Sequence, residues 1–135
     1  MKIYVAGKWQ ERQTIRKIMD YIESLGHEIT HDWTGHEAKV ASEHEEEGTV
    51  FVYGEWLYKS ELREQSLDDE NGVEDADCIV IYAVNAHKYA GTCTEMGIAI
   101  GKGIPVYIIG ENLGHNIFTY HPLVQVFDKM EDLPL

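Results

Sequence analysis

Cys78-Ile79-Val80-Ile81-Tyr82-Ala83-Val84 is the stretch on which the reading of the fold turns. It is short and nearly all apolar, with no polar residue at alternate positions. A parallel strand buried on both faces requires that composition. Upstream, Asn71-Gly72 reads as a helix stop or turn. The stretch 50–70, carrying Val52, Trp56, Leu57 and Leu62, is expected to be a helix interrupted near Gly54. Downstream, residues 92–102 read as a helix ended by Gly103, and Thr92 precedes Glu95 at capping-box spacing. Residues 104–109 form a further buried strand with Pro105 at its start, where a missing N–H is tolerated. Residues 110–114 turn, residues 123–127 give a last short strand, and Glu131-Asp132-Leu133 starts a final helical turn.

Toward the N-terminus, Ile3-Tyr4-Val5-Ala6 reads as a buried strand closed by Gly7. Residues 14–25 are helical, with Ile15, Ile18, Met19 and Ile22 on one face and Gly26 as C-cap. His27-Glu28-Ile29-Thr30 is a second strand, and Asp32-Trp33-Thr34 is a loop. Residues 36–50 are expected as an exposed helix or loop, in which Glu43-His44-Glu45-Glu46-Glu47 is a solvated face. Alternating strands and helices imply a parallel sheet covered on both sides. About five strands in one domain, residues 1–135, predict an α/β, flavodoxin-like three-layer sandwich. Its five-stranded, mainly parallel sheet would have the order 2-1-3-4-5. Ligands in such sheets bind beyond the C-terminal strand edges, which brings loops 7–12, 32–35 and 85–92 together.

The chain has 135 residues, 44% hydrophobic and 26% charged, with a net charge of −13 from 11 basic and 24 acidic side chains. Such a surface repels a nucleic-acid polymer. Yet Lys2, Lys8, Arg12, Arg16 and Lys17 all fall in the first 17 residues, opposed only by Glu11. Lys8 and Arg12 flank a strand-to-helix turn and could hold a small anion; Arg16 and Lys17 read as a solvated helix face. Cys78 and Cys93 suggest neither a zinc site nor a disulfide scaffold. Met1 leads directly into strand-like sequence, and no apolar run approaches membrane-spanning length. A soluble, cytoplasmic protein without membrane contact is expected.

The carboxylates carry the chemistry. Glu95 lies in Gly91-Thr92-Cys93-Thr94-Glu95-Met96-Gly97, read as the first turn of a helix starting at the sheet's C-terminal edge. The positive helix end favours an ionised carboxylate there, and such a group can attack an anomeric carbon. A capping box with Thr92 would compete with that role. Asp69, in Asp68-Asp69-Glu70-Asn71-Gly72-Val73, is a second carboxylate. Paired carboxyl groups are the usual equipment for cleaving a glycosidic bond; alone, Asp69 belongs to an acidic, solvated run.

Four segments, in order, resemble the nucleoside 2-deoxyribosyltransferase family and its nucleotide N-glycosidase relatives. They are Lys2-Ile3-Tyr4-Val5-Ala6-Gly7; Asp69-Glu70-Asn71-Gly72-Val73 with Asp77; Gly91-Thr92-Cys93-Thr94-Glu95-Met96-Gly97-Ile98-Ala99; and Gly103-Ile104-Pro105-Val106. The resemblance implies a flavodoxin-like sheet and a retaining double displacement. It implies that Glu95 is the nucleophile, that Tyr4 orients it, and that Asp69 helps protonate the departing base. It also implies a homodimer or higher homo-oligomer, and no cofactor. In many transferases an aspartate stands where this chain has Tyr89, and the short C-terminal tail lacks a match to the segment that binds the 5′-hydroxyl. A 5′-phosphate on Lys8, Arg12 and the first loop's N–H groups suits the sequence as well. Gly7, Lys8, Trp9, Arg12, Asp32, Trp33, Tyr89, Gly91 and Thr92 are the expected substrate contacts, Trp33 and Trp9 by stacking on the base.

The expected activity is cleavage of the N-glycosidic bond of a (deoxy)nucleoside or 5′-monophosphate through glycosyl-Glu95, with transfer to another base or to water. Rival readings are a non-catalytic nucleotide-sensing module and a hydrolase of NAD-like dinucleotides. A flavin protein or signalling receiver is disfavoured, since a receiver needs an acidic pair where this chain has Gly7-Lys8. The seven histidines do not make a metal site: His27 and His31 lack the helical pairing a metal needs, although His31, Asp32 and His36 could approach in a loop. His121-Pro122 reads as a turn anchor.

Overall fold

A computed structural model describes residues 1–44, 48–52 and 54–135. The main elements are β1 (Lys2–Ala6), α1 (Arg12–Ser24), β2 (Glu28–Ile29), β3 (Val40–Ala41), β4 (Thr49–Val52), β5 (Glu55–Tyr58), α2 (Lys59–Glu74), β6 (Cys78–Tyr82), α3 (Ala90–Gly101), β7 (Val106–Ile109) and β8 (Val124–Phe127). Five strands pair in the order β2-β1-β6-β7-β8, every pair parallel. Counting the strands of this sheet alone, the order is 2-1-3-4-5, the flavodoxin-like arrangement.

The period-2 alternation of strand side chains divides the core in two. Ile3, Val5, Cys78 and Val80 pack on one face against Ile15, Ile18, Met19 and Ile22 of α1. Tyr4, Ala6, Ile79 and Ile81 pack on the other against Val73 of α2 and Met96 and Ala99 of α3. The sheet thus lies between α1 and the α2–α3 layer. Among the described residues no helix is long and apolar enough to cross a membrane.

Three expectations need correction, all between β2 and β6. Of the helix expected over residues 50–70, only 59–70 is helical, as part of α2, and the described residues before it are strands. β4 and β5 form an antiparallel hairpin, and β3 joins β5 in a separate three-stranded sheet. Thr49-Val50-Phe51-Val52 and Glu55-Trp56-Leu57-Tyr58 are rich in β-branched and aromatic residues, which suits paired strands. Gly54, at φ +77°, joins them in a backbone conformation that costs glycine little. Phe51 and Trp56 then face each other across the pair, ring centroids 5.0 Å apart. The stretch 36–50, expected as an exposed helix or loop, carries β3 at Val40–Ala41 and the start of β4 at Thr49 among its described residues. The solvated face read at Glu45, Glu46 and Glu47 lies outside the described residues.

Asn71-Gly72 does not stop a helix either, because α2 runs on to Glu74. Gly72 is buried against β1: a Cβ there would stand 2.9 Å from both the Tyr4 ring and His31 Cβ. The missing side chain lets α2 ride directly on Tyr4, and tertiary contact overrides propensity.

Candidate active site

Tyr4 is centrally placed on β1 and 1% exposed. Its hydroxyl is within hydrogen-bonding reach of both Glu95 on α3 and Asp69 on α2. The fold brings these three predicted residues together from three elements far apart in sequence. Burial and the two neighbouring carboxylates push the Tyr4 hydroxyl far above its ordinary pKa, so it stays protonated and donates.

Glu95 corrects two details. α3 begins at Ala90, two residues before Thr92, with Tyr89 at its N-cap and no side-chain cap bond. The expected capping box is therefore not formed, and Thr92 is a buried first-turn residue. Glu95 sits in the second turn, where the helix dipole has largely faded. Burial instead dominates and raises its pKa from 4.5 to about 7, with Asp69 adding to the rise and the Tyr4 bond opposing it. One carboxylate oxygen, Oε2, is buried and has no partner. A carboxylate held in this way is poised near neutral pH and keeps an unused lone-pair oxygen.

Asp69 is also raised, chiefly by burial, with nearby His31 and His36 opposing the shift. His31 Nε2 stands 3.4 Å from Asp69 Oδ1. Both residues line a cleft of roughly 450 Å³ together with Trp9, Asp32, Trp33, Gly35, His36, Gln65 and Asp68. Glu95 and Tyr4 are not among the lining residues; Asp69 is the member of the triad that reaches the cleft. Among the described residues, no three His, Cys, Asp or Glu side chains come together as a metal set.

The expected substrate contacts divide into two groups. Trp9 and Trp33 line the cleft, with centroids 6.4 Å apart and planes tilted by 42°. Trp33 is fixed by donating Nε1–H to the Val5 carbonyl at 2.8 Å. Arg12 lies over the Trp9 ring at 4.4 Å and donates to the Trp9 carbonyl at 3.2 Å. Lys8 is half-buried at the start of the same turn. Asp32 lines the cleft and accepts from the Thr34 N–H and hydroxyl, while Arg16 stands 3.0 Å away. Arg16 lies on the exposed face of α1, as expected, and its pair with Asp32 is a surface one.

Lys8, Arg12, Tyr89, Gly7, Gly91 and Thr92 do not line that cleft. The Tyr89 ring is buried, and its hydroxyl is shared between the Asn85 carbonyl at 2.6 Å and Glu11 Oε1 at 3.2 Å. Gly7 lies against Ile15, and Gly91 faces open space. Sequence reasoning missed Gln65, Asp68 and the pairing of His31 with Asp69. The acidic run 68–70 was legible, but nothing in it showed which carboxylates face inward.

No protein-family profile matches the chain, and no curated protein does. Among the solved structures that match are two that cover nearly its whole length. One is the CMP N-glycosidase BcmB of Clostridium botulinum, with 16% identity and a TM-score of 0.60, covering 97% of this chain and 92% of that one. The other is a conserved protein of Enterococcus faecalis V583, with 17% identity and a TM-score of 0.63, covering 98% and 93%. This chain therefore has the fold of a nucleotide N-glycosidase, as the sequence resemblance to the nucleoside 2-deoxyribosyltransferase family implied.

Proposed function

We propose that the chain cleaves the N-glycosidic bond of a (deoxy)nucleoside or nucleoside 5′-monophosphate through a covalent glycosyl-Glu95 intermediate. The observation that carries the reading is the buried Glu95 carboxylate, with one unpartnered oxygen and the Tyr4 hydroxyl and Asp69 beside it. The CMP N-glycosidase of the same fold supports it. In this mechanism the base stacks in the cleft against Trp33 and Trp9. Asp69, at the cleft wall, passes a proton to the departing base, and Glu95 bonds to C1′ as the glycosidic bond breaks. Water or a second base then releases the sugar.

The cleft carries Asp32, Asp68 and Asp69, a wall that repels a phosphate. A 5′-phosphate would therefore lie on the Lys8 and Arg12 side of Trp9. A homo-oligomer completing the site belongs to the same proposal, and sedimentation of the purified protein tests it.

The deciding experiment incubates the protein with nucleosides and 5′-monophosphates, each with and without an acceptor base, and follows free and exchanged base by chromatography. Base release by the native protein and its loss in Glu95→Gln are expected. Full activity in Glu95→Ala would remove the mechanism. Failure to release base from any substrate would leave the nucleotide-sensing or dinucleotide readings.

A further inference from the structure

Glu11 is the one acidic side chain in the basic N-terminal stretch, and it is turned inward, 9% exposed. A buried carboxylate only accepts hydrogen bonds and is costly without donors. Its donors come from one place, the loop between β6 and α3. Asn85 Nδ2 donates at 2.5 Å, the Tyr89 hydroxyl lies at 3.2 Å, and His87 Nε2 stands 3.8 Å away. The Tyr89 hydroxyl also holds the Asn85 carbonyl, which closes that loop on itself.

We propose that Glu11 is a positioning residue whose carboxylate clasps the β1–α1 loop to the β6–α3 loop, setting where Trp9 and Arg12 stand relative to Glu95. Trp9 opens the short 3-10 turn that Glu11 ends, and Arg12 follows directly, stacked on the Trp9 ring. On the other side, Tyr89 is the N-cap of α3, the helix that carries Glu95. One carboxylate thus joins the cleft wall to the helix of the nucleophile. The inference rests on the proposed function for its catalytic consequence and on geometry alone for the clasp.

The test is Glu11→Gln, which keeps length and volume but leaves one acceptor oxygen and turns an amide NH2 toward a cluster of donors. Amide hydrogen exchange in residues 8–12 and 85–90 should accelerate while the far-UV spectrum is retained. At a temperature where the variant is fully folded, kcat/KM should fall about 10²-fold, the scale of a misplaced reacting group. A merely structural role would lower Tm and spare kcat/KM under those conditions. Asn85→Ala probes the clasp from its other end and carries the test if Glu11→Gln does not fold. The double variant should be little worse than Glu11→Gln alone. Native exchange in both loops of a folded variant, or loosened loops with native kcat/KM, would overturn the proposal. If the native protein releases no base from any substrate, the proposed function fails, and the exchange measurement still decides the clasp.

Discussion

Replacing Glu95 by Gln should stabilise the protein at alkaline pH while removing its activity. In the folded chain burial holds the Glu95 pKa at about 7, against 4.5 for an unburied group. A raised carboxyl pKa means that the native state keeps a proton which the unfolded chain has lost. Stability therefore falls as pH rises from about 4.5 to about 7, and the full cost is present above that window. At about 1.36 kcal/mol for each pH unit between the two values, ionised Glu95 costs about 3 kcal/mol at pH 8. Gln has the shape of the protonated acid and no charge to desolvate. Urea unfolding followed by tryptophan fluorescence should show Glu95→Gln more stable by up to that amount at pH 8. In a chain of this size this is a rise in Tm of about 10 °C. The advantage should shrink through pH 7 and vanish below pH 4.5. A variant no more stable than the native protein at pH 8, or equally advantaged at pH 4.5 and 8, would refute the burial argument.

Tyr4→Phe removes the hydrogen bond that opposes the rise in Glu95. The Glu95 pKa should climb by about one pH unit or more, since such bonds to a charged group are worth roughly 1.5–3 kcal/mol; carbon-13 NMR of the labelled carboxyl reads it, and an unchanged pKa contradicts the geometry. Gly72→Ala forces a Cβ to within 2.9 Å of the Tyr4 ring and His31 Cβ. It should cost about 1–3 kcal/mol in urea unfolding and lower kcat, because α2 carries Asp69; native stability would mean that α2 shifts freely. For kcat/KM, a bell-shaped pH profile is expected whose alkaline limb falls through pH about 7. A profile still rising at pH 9 would mean that ionised Glu95 alone suffices.

The fold was legible where one physical signal dominated. Cys78-Ile79-Val80-Ile81-Tyr82 could only be a strand buried on both faces, and the spacing of Ile15, Ile18, Met19 and Ile22 could only be one face of a helix. The segment before α2 was illegible because Val50, Val52, Trp56 and Leu57 fit a helical spacing about as well as two short strands. The hairpin is decided by cross-strand pairing, which no single segment displays. Gly72 misleads for the opposite reason: its local meaning is a helix stop, and its use here is close contact with Tyr4. At the site, Tyr4, Asp69 and Glu95 could be named from motif order, but the clustering of His31, Gln65 and Asp68 needs the packing of α2 on β1. The direction in which the Glu95 pKa moves was not legible, because the helix starts earlier than its sequence suggests. That start moves the carboxylate away from the positive end of the helix and leaves burial in control.

The proton inventory ties these features together. Glu95 and Asp69 both have raised pKa values, and each raises or is raised by what surrounds the shared Tyr4 hydroxyl. The Asp69 charge adds to the rise in the Glu95 pKa, so under the proposed function the useful quantity is how many protons the two carboxyl groups hold. With none, no acid is available for a departing base and the two charges repel. With two, no carboxylate is free to attack. Under the proposed function the working state holds one proton, ionised at Glu95 and protonated at Asp69, the residue that reaches the cleft. At rest the stronger burial of Glu95 favours the reverse placement. The Tyr4 hydroxyl interacts with both carboxyl groups, so under the proposed function it stands where a proton would pass between them.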